Sequence, residues 1–104
     1  MKQDLELKRR IRQILKIVQQ VAPGNSVELR IPPHAAIQCV SGSVHRRGTP
    51  PNVVEMDGRT LIELVGNPAD WDEFCHQGRI SASGTNTNLK NLFKQVSKLD
   101  LSSR

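Results

Sequence analysis

The sequence predicts an α+β domain, with an antiparallel or mixed sheet covered by helices. Three observations carry this. Short apolar segments with a two-residue period cluster between residues 26 and 56, separated by proline and glycine turns. Stretches with a helical apolar period flank them on both sides. The chain has 104 residues, which suffices for one domain with one modest core and leaves no room for a second.

Residues 3–21 read as the first helix, because Leu7, Ile11, Ile14, Leu15, Val18 and Val21 recur on one face and Ile17 widens it. Pro23-Gly24-Asn25 stops that helix. Ser26–Ile31 alternates, with Val27, Leu29 and Ile31 on one side and Glu28 and Arg30 on the other, as a half-buried strand requires. Pro32-Pro33-His34 connects it to a second strand, Ala35–Val40. Gly42 and Gly48 bracket a third candidate strand, Ser43–Arg47. Asn52–Met56 is a fourth.

Asp57 is placed to cap the next helix, with Thr60 as the later option; Leu61, Ile62, Leu64 and Val65 form its apolar side and Gly66 is suited to its end. Asn67-Pro68 starts a helix to Gln77 with Trp71, Phe74 and Cys75 inward. Its early acids, Asp70, Asp72 and Glu73, suit the positive end of the helix dipole. Gly78 ends it. Arg79–Ser83 is a short strand. Thr85 or Thr87 caps a last helix running to about Lys98, with Leu89, Leu92, Phe93 and Val96 as its stripe. The tail 99–104 is expected to fray.

The formal charge is +5, yet residues 1–21 carry +4 of it, through Lys2, Lys8, Arg9, Arg10, Arg12 and Lys16 against Asp4 and Glu6. The basic character therefore describes the first helix rather than the domain body. That helix could lie on an anionic bilayer or on phosphates, or simply present a solvated face. Trp71, Phe74 and Phe93 are the sole aromatics. This argues against base stacking and hence against nucleic acid as a partner. The first helix has no aromatic wedge for membrane insertion, which leaves peripheral contact as the membrane reading.

Catalytic patterns are absent from the sequence: no HExxH, no glycine-rich phosphate loop and no Cys/His cluster with metal-ligand spacing. Cys75 and His76 are adjacent on a helix, so their side chains diverge by about 100°. The expectation is a non-enzymatic protein with no metal and no cofactor. No secretory signal and no run of about 18 apolar residues occurs. With two unpaired-looking cysteines, the chain reads as cytoplasmic.

The stretch Arg46-Arg47-Gly48-Thr49-Pro50-Pro51-Asn52 has two readings. The arginines and the Gly48 and Thr49 amides could gather a carboxylate or phosphate. Alternatively Gly48 bends a plain connector that the prolines stiffen.

Several strings carry a resemblance. SVELRIPPHAAIQCV, then HRRGTPPNVVEMD, then GRISASGT resemble the bacterial sterol carrier protein orthologue family. The likeness runs from Pro23 to Phe93. It implies a sterol carrier protein-like α+β fold with about five strands, mainly antiparallel, and helices packed on one face. It also implies an apolar cavity for a fatty acyl or similar lipid-like ligand. Eukaryotic relatives often carry a peroxisomal signal at the end, which Leu101-Ser102-Ser103-Arg104 does not match.

On that basis Leu61, Leu64, Trp71, Phe74, Ile80, Leu89, Leu92 and Phe93 are the candidate ligand-binding residues, the other role open to them being to fill a core. Arg46 and Arg47 are the candidate contacts for an acidic ligand or partner. The competing function is an accessory domain that docks on another protein or forms a homodimer.

Overall fold

The computed structural model describes residues 2–42 and 52–102. Helix α1 spans Lys2–Val21, strands β1, β2 and β3 span Val27–Ile31, Ala35–Cys39 and Asn52–Met56, and helix α2 spans Gly58–Gly66. A 3-10 turn at Pro68–Asp70 leads into helix α3, Trp71–His76. Strand β4, Ile80–Ser83, and helix α4, Lys90–Ser102, follow. The candidate strand Ser43–Arg47, with Arg46 and Arg47, lies outside the described residues.

Among the described residues the sheet has four strands in the order β2-β1-β3-β4. β1–β2 and β3–β4 are antiparallel, but the central pair β1–β3 is parallel. This corrects the expectation of about five, mainly antiparallel strands: the sheet is mixed. The register gives the reason. Cys39 at the end of β2 and Asn52 at the start of β3 both lie level with Val27. β2 therefore ends and β3 begins at the same end of the sheet, on opposite sides of β1, so β3 runs the way β1 runs.

The helices cover one face. Alternation puts Val27, Leu29, Ile31, Val54 and Met56 under them, fully buried, while Arg30, Gln38, Glu55, Ser81 and Ser83 stay in water on the other side. Ile11, Ile14, Leu15 and Val18 of α1 join this core, as the helical period predicts. Asp57 caps α2: its Oδ1 accepts from the Thr60 N–H at 2.8 Å. That bond, to the Thr60 side chain and backbone, holds the Asp57 carboxyl below its ordinary range.

Three ends differ from expectation. The segment after Asn67 splits into a 3-10 turn and a short helix. Asn88, not Thr85 or Thr87, supplies the side-chain acceptor at the start of α4, taking the Lys90 N–H at 3.0 Å. Helix α4 also runs past Lys98 to Ser102. The cause is a long-range ion pair: Arg10 donates through both terminal nitrogens to Asp100, at 2.6 and 2.7 Å. Asp100 is 5% exposed, so the planar fork of Arg10 holds the last turn of α4 against α1.

Candidate functional site

The two helices run antiparallel. Arg10 meets Asp100 at one end, and Val21 and Ala22 lie beside Leu89 and Leu92 at the other. At this second end the end of β2 and the segment after β4 join them around a groove of about 370 Å³. Val21, Val40, Leu89 and Leu92 give it an apolar floor, and Asn86 and Gln95 stand among its polar lining. That volume falls within the range of small-molecule sites.

Three local devices build the groove. The first is Asn52, 3% exposed. Its amide nitrogen donates to the Ser26 carbonyl at 3.0 Å and to Ser26 Oγ at 3.4 Å, and its Oδ1 accepts the Asn86 N–H at 3.0 Å. One side chain thereby ties the starts of β1 and β3 to the rim of the groove. An asparagine is a poor strand former, and its cross-linking geometry explains its place at the head of NVVEM.

The second device is Val40, which has φ of 65°. A β-branched residue in the left-handed region is strained. It is held there from both sides: its N–H donates to Ala22 O at 2.7 Å, and its carbonyl accepts the Ser26 N–H at 2.9 Å. The turn aims the Val40 side chain at the groove.

The third is Gly24. Its φ of 145° suits glycine, and a Cβ there would sit 2.3 Å from the Val40 carbonyl oxygen. The glycine therefore lets the α1–β1 connection close onto the end of β2.

Of the predicted ligand residues, Leu89 and Leu92 reach this groove. Leu61, Leu64, Trp71, Phe74, Ile80 and Phe93 belong to the buried core. There the Trp71 and Phe93 rings stack with centroids 6.2 Å apart. Arg79 covers Phe74, its guanidinium 4.2 Å from the ring centre, and reaches Thr60 and Glu63 with its nitrogens. Sequence reasoning missed Val21, Val40 and Asn86 as groove residues. Val21 was visible as part of the α1 stripe, but nothing local marks Val40 as left-handed.

The thiols are chemically quiet. Cys39 is fully buried, and burial pushes its thiol up to about 11. Burial and then the nearby Asp72 charge also raise Cys75. Both stay protonated at neutral pH, the form that is neither nucleophile nor metal ligand. Among the described residues no cluster of three His, Cys, Asp or Glu is placed to hold a metal ion. No described helix is long and apolar enough to cross a membrane.

A family model described as bacterial SCP ortholog matches residues 3–94, most of the chain and every strand described above. A comparison with curated proteins returns no match. The chain belongs to the bacterial SCP ortholog family.

Proposed function

With that membership as premise, we propose that this domain is a non-enzymatic binder of a lipid-like ligand, with an acyl or similar apolar chain lying in the groove between α1, the end of β2 and α4. The single observation that carries the reading is the groove's composition. Leu89, Leu92, Val21 and Val40 offer apolar contact, and the Asn86 and Gln95 side chains stand where a polar headgroup would emerge. Burying a chain of several methylenes there contributes about 0.8 kcal/mol for each CH₂ removed from water.

Arg46 and Arg47 fit the same reading as contacts for an acidic headgroup. The nearest described strand residues on either side of them, Cys39 and Asn52, both lie level with Val27 at the groove end of the sheet. The cellular setting consistent with this role is the cytoplasm.

Native mass spectrometry of the purified protein, with displacement of a fluorescent fatty acid, tests the proposal. Displacement that weakens about tenfold in Leu92→Gln supports it. Weaker binding in Arg46→Ala or Arg47→Ala assigns the acidic contact. No copurified lipid and no displacement sinks it.

The tight packing of Leu61, Leu64, Trp71 and Phe93 favours a second reading, an accessory domain that docks on another protein or on a second copy. Leu5 and Leu101 are about two-thirds exposed and Leu99 nearly half, all near the paired ends of α1 and α4. Light scattering after size exclusion separates the readings. A dimer that Leu101→Lys dissociates favours docking, and a monomer that displaces the fatty acid favours the carrier.

A further inference from the structure

At the opposite end of the sheet from the groove lies a cleft of about 320 Å³. Lys8 and Arg12 of α1 border it on one side, and Pro33, His34 and Ala35 of the β1–β2 turn on the other, with Ile11 between them. We propose that this cleft is an oxyanion site that takes the phosphate of a small phosphomonoester. It is independent of the groove and of the lipid-binding reading.

The charge pattern points this way. Lys8 and Arg12 are one helical turn apart and face the same hollow. Like charges at that spacing repel by about 0.2–0.5 kcal/mol. No carboxylate lines the cleft. Among the described residues neither side chain makes an ion pair. Elsewhere the arginines facing other elements are neutralised: Arg10 by Asp100, Arg79 by Glu63. An anion is what the hollow lacks.

The neighbouring cleft supplies the contrast. It shares Pro33, His34 and Ala35, but its cation is Arg30, and Glu55 lines it as well. Arg30 is already bonded to Glu28, which raises its pKa. The two sides of the same turn thus differ in free positive charge, and only the α1 side is left to attract an anion.

The geometry suits a phosphomonoester. Two positive charges bordering one hollow match a group carrying a charge of about −1.5 to −2 near neutrality. Lysine and arginine both bind phosphate, the arginine through a planar fork. His34 adds a ring N–H donor. Its position is set by the turn, where prolines fix φ at the two preceding residues and the His34 N–H donates to Ile31 O at 2.8 Å. Ile11, 1% exposed, gives a floor that keeps one side of a bound anion out of water.

The test is an amide-resonance titration of the full chain with inorganic phosphate and with glycerol 3-phosphate, at constant ionic strength in chloride. Alongside it, cosedimentation is measured with phosphatidylcholine vesicles containing phosphatidic acid, whose headgroup is a phosphomonoester. The expected result is saturable shifts confined to the amides of residues around 8–12 and of His34 and Ala35. Affinity falls about fivefold in Lys8→Gln and in Arg12→Gln, and holds within about twofold in Arg9→Gln, a charge on the same helix outside the cleft.

Saturation by glycerol 3-phosphate without cosedimentation identifies a soluble phosphomonoester as the source. Cosedimentation lost in Arg12→Gln but kept in Arg9→Gln identifies a lipid headgroup using the same site. Shifts that spread evenly along α1, equal weakening by Arg9→Gln and Arg12→Gln, or no saturation in either arm overturn the site. The three residues are surface-accessible, so circular dichroism of each variant is expected to match the parent.

Discussion

The two ends of the sheet are built by opposite means. At the end level with Val27, the backbone is tied by polar cross-links. Asn52 spans Ser26 and Asn86, and Val40 is held in a left-handed conformation between Ala22 and Ser26. At the end level with Ile31, a proline turn and a helix cap suffice. Pro32-Pro33 sets the β1–β2 turn, and Asp57 starts α2 directly after β3. The first end gathers segments distant in sequence, and its hollow is floored by apolar groups. The second uses local rules, and its hollow is bordered by cations. A single small sheet can therefore present two chemically distinct concavities, one shaped by long-range polar bonds and the other by a local proline turn packed against α1.

The largest expected effect ignores the difference between the ends. Phe93→Ala removes a fully buried ring stacked on Trp71 and should cost about 3–5 kcal/mol. Urea unfolding measures it, and hydrogen exchange should accelerate at both ends alike. Asn52→Ala should break the comparison at one end. It strands the buried Ser26 carbonyl and releases the Asn86 N–H at the rim, for a loss of about 1–3 kcal/mol. Exchange of the Asn86 amide should rise beyond the global loss while that of His34 follows the global loss. Equal acceleration at both amides would contradict the separation.

At the other end, Asp57→Ala removes a cap and should cost about 1 kcal/mol. The pH dependence has a definite sign. The folded carboxyl titrates below its unfolded value, so the contribution is complete above the ordinary carboxylate range and disappears as pH falls through the folded pKa, below 3.8. An acid unfolding profile identical in parent and Asp57→Ala would remove this assignment.

The smallest effect is the most diagnostic. Val40→Gly releases left-handed strain of about 1–2 kcal/mol, offsetting the lost side-chain contact and an unfolded-state entropy of about 0.5–1 kcal/mol. Stability should stay within about 1 kcal/mol of the parent. A loss of about 3 kcal/mol or more would mean that the backbone there is relaxed.

What was legible in the sequence divides along the same line. The alternation of Val27, Leu29 and Ile31, the bounds Asn52–Met56 and the cap at Asp57 depend on neighbours in the chain, and they read correctly. The parallel pairing of β1 with β3 does not, because it is decided by which side of β1 each neighbouring strand takes, a long-range choice. The extension of α4 to Ser102 was also hidden, since it depends on Arg10, ninety positions from Asp100. At the candidate site, Leu89 and Leu92 were visible as a helical stripe. Val40 was not, because its conformation is imposed by Ala22 and Ser26. The charge of Lys8 and Arg12 was plain, but a solvated face and a cleft wall look the same until the β1–β2 turn is placed opposite them.

The pairing of α1 with α4 also has a consequence for the order of synthesis. Helix α1 leaves the ribosome before every other element described, and α4 follows all of them. At about 5–20 residues per second, some 4–16 seconds separate Ile14 from Phe93. Throughout that interval the stripe Ile11, Ile14, Leu15 and Val18 lacks one of its two covering helices. The nascent chain thus carries this apolar stripe on a segment made before its partner helix, flanked by Lys8, Arg9 and Arg12, whose charges oppose self-association until that helix arrives.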